Sequence, residues 1–266
     1  MTRIIAIANQ KGGVGKTTTT VNLATAMAAC GKKVLLIDMD PQGNASTGLG
    51  LPSSERGQTL YHVLFNECTL QEAIVETNVP KLDVLPSSVD LAAAEIELID
   101  VQNRQFILRQ ALDTLQGYDV VFIDCPPSLG LLTLNAFCAS QSVLVPLQCE
   151  FYALEGLSQL TKTISRVQQS VNEELALDGI VLTMYDKRNN LTLQVEDNVR
   201  DFFGETVYTT VIPRNVKISE APSHGLPAIV YDIKAPGSVA YLQLAKEMIG
   251  REKKREKKRE EEQTKE

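Results

Sequence analysis

A chain of 266 residues, 44% of them hydrophobic, is long enough to bury one α/β core or two small ones. Its net charge of −7, from 26 Lys and Arg against 33 Asp and Glu, excludes a uniformly basic surface and leaves room only for a local cationic patch. No window holds 18 or more uncharged apolar residues, so no transmembrane helix is expected, and the N-terminus enters an apolar run without a secretory-signal pattern. That first run, 4–8, predicts a strand, followed by a glycine loop and a helix over 19–29. Residues 33–38 predict a buried parallel strand ending in acid. Pro41, Gly43 and Asn44 then mark a loop at its carboxyl end, extended through 48–52, where ligands bind in open α/β sheets. Residues 58–76 read as helical, with Thr59 and Thr69 as N-caps, before a strand stub over 82–86. Helical spacing covers 89–99 and 101–115, and Gly117 turns the chain into a third apolar run, 119–124, broken by Pro126 and Pro127. Helices over 129–139, 151–171 and 191–203 then alternate with strands over 142–147, 177–184 and 206–212. A loop at 222–227 and a closing helix over 238–249 complete the pattern. Such alternation predicts an α/β, doubly wound, mainly parallel sheet with helices on both faces. No boundary falls before residue 250, so 1–250 is expected to form one domain.

Residues 251–266 differ. They contain eight basic residues, six glutamates and no apolar residue. Glu252–Arg255 and Glu256–Arg259 are i, i+3 pairs worth ~0.2–0.5 kcal/mol each. This tail is expected to be a solvated helical extension or disordered, and its lysines either remain solvated or add electrostatic attraction to DNA. The five cysteines (Cys30, Cys68, Cys125, Cys138, Cys149) lack C-x-x-C spacing and read as buried thiols in a reducing cytoplasm. His62 and His224 lack metal-ligand spacing and read as structural.

Chemistry concentrates in Lys11-Gly12-Gly13-Val14-Gly15-Lys16-Thr17-Thr18. Strand, glycine loop and helix together are the setting of a phosphate-binding loop. Glycines let successive N–H groups converge on an anion, and the helix N-terminus adds partial positive charge. Lys16 supplies a point charge for phosphates and Thr17 a hydroxyl for Mg²⁺. The loop departs from G-x-x-x-x-G-K-[ST], because Gln10 stands where glycine would be and Lys11 adds a second cation. Two lysines in one tight loop need an anion to offset their repulsion. Asp124, ending an apolar strand, has the character of the acid opposite such a loop. Asp40 either works on the ligand or caps the turn ahead of Pro41.

These segments, with Asp38-Met39-Asp40-Pro41-Gln42-Gly43-Asn44, Pro146-Leu147-Gln148-Cys149-Glu150 and residues 211–223, resemble the deviant Walker A ATPases of the ParA/MinD group. Within that group the chain is most similar to the ParA/Soj chromosome- or plasmid-partitioning family, over roughly residues 2–250. The resemblance implies a P-loop NTPase fold, ATP and Mg²⁺ as cofactors, and ATP hydrolysis. It implies that Lys16 and the N–H groups of Gly12, Gly13, Val14, Gly15, Thr17 and Thr18 bind phosphates, and that Thr17 and Asp124 hold Mg²⁺, Asp124 through water. Lys11 would cross to the partner's nucleotide, Asp40 would orient the attacking water, and Gly12 would lie where two subunits are closest. Glu150 would touch the nucleotide across the dimer, Pro213 and Asn215 would line the adenine, and Arg214 with Lys217 would bind DNA. Taken alone, Arg214 reads equally well as a surface salt-bridge residue. The resemblance further implies a cytoplasmic, nucleoid-associated homodimer formed with ATP. That dimer would bind double-stranded DNA without sequence preference until a ParB-type centromere-binding protein stimulates hydrolysis. With two residues before Arg3, the DNA surface is expected in the core or the tail. A MinD-like membrane-associated spatial regulator is the alternative. It would need bulky apolar residues in the tail, and the tail has none.

Overall fold

The computed structural model describes residues 2–263, apart from the side chains of residues 259, 260, 262 and 263. Seven strands form one sheet: β1 (Arg3–Ile7), β2 (Val34–Asp38), β3 (Val75–Glu76), β4 (Leu82–Leu85), β5 (Val120–Asp124), β6 (Ser142–Gln148) and β7 (Ala176–Thr183). Their order is β3-β4-β2-β5-β1-β6-β7, and all pairings are parallel except β3 with β4. The doubly wound, mainly parallel sheet expected from the alternation is what forms. β2 and β5 are buried at every position because helices cover both faces, which is why they read as unbroken apolar runs.

Register positions the chemistry. Asp124 aligns with Ile7 on one side and with Asp38 on the other, so β1, β2 and β5 finish level. The acids ending β2 and β5 therefore stand side by side, next to the loop leaving β1. From β1 the chain passes to β2 and outward to β3 and β4, returns through β5 between β2 and β1, and then crosses to β6 and β7 on the other side. That change of direction opens a crevice at the carboxyl ends.

On one face, the helix Lys16–Ala29 lies between the sheet and the closing helix Pro236–Gln263, packing with Ile5, Phe122, Tyr241 and Leu244. Small residues (Ala24, Ala26, Ala28) permit the close approach. Buried Thr25 satisfies its hydroxyl on the Val21 carbonyl one turn back, at 2.8 Å. On the other face, the helix Ala153–Ser170 buries a stripe of Ala153, Leu157, Leu160, Ile164 and Val167. The helices Leu131–Ala139 and Asn190–Phe203 complete that layer.

Three segments depart from the sequence expectation in their secondary structure, whereas the tail keeps the expected helical extension and departs only in being docked. Residues 101–115 are not one helix: a left-handed Asn103 (φ 59°) breaks the run, a 3-10 turn follows at Arg104–Phe106, and the α-helix covers only Ile107–Leu112. Residues 206–212 are not a strand. Tyr208 and Ile212 donate to the Ile180 and Leu182 carbonyls of β7, but between them the N–H groups of Thr209 and Thr210 turn to the Glu247 carboxylate at 2.8 and 2.9 Å. That diversion interrupts the ladder and leaves isolated bridges at Val207 and Pro213. Residues 75–76, read as helical, form β3: the helix Leu70–Ala73 ends at an extended Ile74, and Val75 pairs with Val84. At the tail, the closing helix passes residue 250 without a break. Arg251 donates to the Glu205 and Val207 carbonyls and lies 4.0 Å over the Tyr208 ring. Arg255 ion-pairs at 2.7 Å with buried Asp178, which Arg3 and the Tyr208 hydroxyl also hold. The expected Glu252–Arg255 pair is thus replaced, and Glu252 faces Arg3 instead. The expected Glu256–Arg259 pair falls outside the described side chains.

Candidate functional site

The loop after β1 is pinned by its neighbours. Asn9 donates to the Pro146 carbonyl of β6 at 2.8 Å and accepts the Lys11 N–H at 3.0 Å. Val14 is buried, and its carbonyl accepts the Thr183 hydroxyl at the end of β7, at 2.8 Å. Gly13 (φ +74°) and Gly15 (φ +86°) adopt the left-handed conformation that turns N–H groups inward ahead of the helix. Lys16 is only 7% exposed, and its ammonium lies 3.3 Å from the Lys11 carbonyl. Burial lowers its pKa, against the opposing pull of Asp124, Asp40 and Cys125. A desolvated cation inside a ring of N–H groups is a site for an anion, and phosphate fits it.

Opposite stand two acids with no exposure. Asp38 accepts the Ser46 N–H and hydroxyl at 2.8 and 2.7 Å. Asp124 accepts the Thr20 hydroxyl at 2.7 Å, and Thr17 stands near enough to oppose the rise in its pKa. One oxygen on each, Asp38 Oδ1 and Asp124 Oδ2, is buried without a hydrogen-bond partner. Burial first, and the neighbouring acids in part, raise Asp38 to about 6 and Asp124 to about 7. Two orphaned carboxylate oxygens beside the Thr17 hydroxyl suit Mg²⁺, which is held by one or two carboxylates, phosphates and water. Among the described residues no group of three or more His, Cys, Asp or Glu forms a metal cage of its own. Sequence reading gave Asp38 no role, although the signal was present: β2 and β5 are both apolar runs ending in Asp.

Asp40 is half-buried, close enough for its charge to act on Lys16 and Asp124. Its Oδ1 also accepts the Gln42 N–H at 3.0 Å, so the turn-capping alternative is met by one of its oxygens. Beyond Gly15 and Thr18 a cavity of about 350 Å³ is lined by Met184, Pro213, Asn215, Ile218 and Tyr241, among others. Asn215 Oδ1 is buried there without a partner, an acceptor that a purine's exocyclic amine would match. Met184 holds a left-handed φ of 49° at the cavity wall.

On the outer edge, Lys11 leaves the loop and ion-pairs with Glu150 of the same chain. Gly12 beside it is exposed, has an ordinary φ, and a Cβ there would meet nothing within 4 Å. Phe151 and Tyr152 follow, 76% and 68% exposed. Arg214 lies apart from this edge, sharing a depression of about 810 Å³ with Lys187 and Arg188. Those two residues escaped sequence reading because 26 positions separate Arg188 from Arg214 and no motif joins them. Arg188 is bonded to Asp186 at 2.8 Å, which holds that carboxyl down at about 2. Lys217 is committed elsewhere, to Glu220 at 2.9 Å and the Tyr231 ring.

A family model described as an AAA domain matches residues 2–177. The chromosome partitioning protein ParA of Caulobacter vibrioides (strain NA1000 / CB15N) is 57% identical over 256 residues, covering 95% of this chain and 96% of that protein. The sporulation initiation inhibitor protein Soj of Bacillus subtilis (strain 168) is 53% identical over 249 residues, covering 93% and 98%. Among solved structures, MinD of Pyrococcus horikoshii OT3 complexed with Mg-ADP superposes with a TM-score of 0.77 at 30% identity, covering 93% and 96%. Cobyrinic acid a,c-diamide synthase from Mycobacterium smegmatis, with bound ADP and magnesium, gives 0.81 at 40% identity, covering 92% and 93%. One fold hosts several functions, and the ParA and Soj relatives are the more similar in sequence. By its loop, its paired acids and these relatives, the chain belongs to the ParA/Soj family of chromosome-partitioning ATPases.

Proposed function

We propose that this partitioning ATPase is a DNA-binding switch driven by ATP, in which two subunits close on the nucleotide and hydrolysis reopens them. The observation that carries the reading is the division of labour between two lysines of one loop. Lys16 is buried and aimed into the phosphate cradle, whereas Lys11 is directed outward beside an open Gly12. A cation placed outward has no use for its own nucleotide, but it would serve a neighbour's.

In this scheme ATP sits on the loop N–H groups and Lys16, with the base in the cavity beside Pro213 and Asn215. Thr17 and Asp124 would hold Mg²⁺, which would supply positive charge to stabilise the phosphates. Asp40 orients the attacking water, and Lys11 of the second subunit offsets charge developing on the transferred phosphoryl group. Phosphoryl transfer depends chiefly on such positioning and electrostatics. The closed dimer binds duplex DNA through Arg214, Lys187 and Arg188, which associates it with the nucleoid. A ParB-type partner then stimulates turnover and release. Lys217, tied to Glu220, is assigned a lesser part.

The test is DNA binding by the Asp40→Ala protein with ATP, with ADP and without nucleotide, across a salt series. Binding restricted to ATP, indifferent to sequence and falling steeply with salt is expected. Equal binding in all three states sinks the switch.

A further inference from the structure

Lys11 is fixed by its main chain and free only in its side chain. Its N–H is tied to Asn9 and its carbonyl faces the Lys16 ammonium, so the side chain leaves outward and pairs with Glu150. Glu150 is held as firmly. It stands two residues beyond β6, its N–H donates to the Gln148 carbonyl and its own carbonyl accepts the Ala153 N–H, both at 2.9 Å. The two side chains are 43% and 44% exposed. An ion pair this open to water, worth about 0.2–1 kcal/mol, biases an equilibrium by a factor of about 1.4 to 5.4. It can therefore hold a side chain back without locking it.

We propose that Glu150 is a positioning residue that retains Lys11 on its own subunit until a second ATP-bound copy docks. The inference rests on the dimer reading above. A single ammonium cannot stay on the carboxylate of its own chain and also reach a phosphate on the neighbour. Each subunit thus restrains the cation its partner requires, and two such pairs must open for one dimer to close. The restraint acts on dimerisation and leaves ATP capture by the separate subunit, which uses Lys16, unaltered.

The experiment compares Asp40→Ala with Asp40→Ala/Glu150→Gln, measuring the dimer Kd in saturating Mg-ATP by sedimentation equilibrium at low and high salt. With two pairs per dimer, the Glu150→Gln protein should dimerise about two- to thirtyfold more tightly at low salt. The gain should shrink as the Debye length falls to about 3 Å near 1 M salt. Glu150→Ala should change the Kd in the same direction, which guards against a peculiarity of the amide. ATP affinity of the separate subunit, read in a Gly12→Val background, should not move. If Glu150 instead grips the partner's nucleotide, Glu150→Gln loosens the dimer. Loosening, no change, or a gain indifferent to salt each overturns the proposal. Failure of the Asp40→Ala parent to dimerise with ATP is a separate result, visible before any Glu150 comparison. It would remove the dimer reading and this inference with it.

Discussion

Single residues carry two separable demands. Gly12 has space around it and an ordinary backbone, so the isolated subunit has no need of glycine there. Gly12→Val should therefore fold with an unchanged Tm and bind ATP, yet fail to form ATP-dependent dimers by light scattering; a dimer of normal stability would remove Gly12 from the subunit contact. Asp38 and Asp124 make the opposite kind of demand, because their cost is borne by the empty subunit. Their folded pKa values, about 6 and about 7, lie above the ordinary value of 3.8. Between about pH 4 and pH 7 the unfolded chain has released protons that the folded pair retains, so stability falls as pH rises through that window. Thermal melts of the nucleotide-free protein should show this slope, and Asp38→Asn should flatten it. Mg-ATP should also flatten it, by favouring the ionised pair. A slope indifferent to both would mean that the acids are not the source. The pair was half legible in the sequence, since an apolar run ending in Asp is a local signal. That Asp38 faces Asp124 depends on strand order, which no local pattern contains.

At the scale of elements, the sequence marks those whose burial is periodic or continuous, and loses those decided by a distant competitor. β2, β5 and the helix Ala153–Ser170 belong to the first kind. Residues 206–212 belong to the second: their β-branched and aromatic composition is strand-like, but Glu247, more than thirty residues later, takes the two amides the ladder required. The same strip explains Gly179 in β7. A Cβ there would collide with the Tyr208 ring and approach the Thr206 carbonyl to 2.9 Å. Gly179→Ala should cost about 1–3 kcal/mol of unfolding free energy, the usual penalty of overpacking. Urea denaturation measures it, and a change under about 0.5 kcal/mol, on the scale of an ordinary surface substitution, would mean that the strip yields more easily than its packing suggests.

For the molecule as a whole, an acidic chain can bind DNA only through a local cationic surface, and the proposed one is the depression that Arg214 shares with Lys187 and Arg188. Arg214→Glu should abolish DNA binding while leaving ATP-dependent dimerisation intact. Arg214→Ala should lower the slope of log K against log salt by about 1 for each phosphate that is no longer neutralised. DNA binding by Arg214→Glu equal to that of the parent would place the surface elsewhere. Arg214 was legible through its neighbours in the 211–223 motif. Lys187 and Arg188 were not, because only folding joins the two loops.

The anchoring of the closing helix has a practical consequence. Asp178, which receives both Arg255 and Arg3, lies near the amino end of β7, and Arg3 begins β1, whereas the nucleotide loop leaves the carboxyl end of β1. A five-residue strand spans about 17 Å, so the root of the helical arm is at least that far from the reacting edge. The arm is therefore a natural handle. A dye or surface tether attached near Lys257 would track the protein through its cycle without entering it.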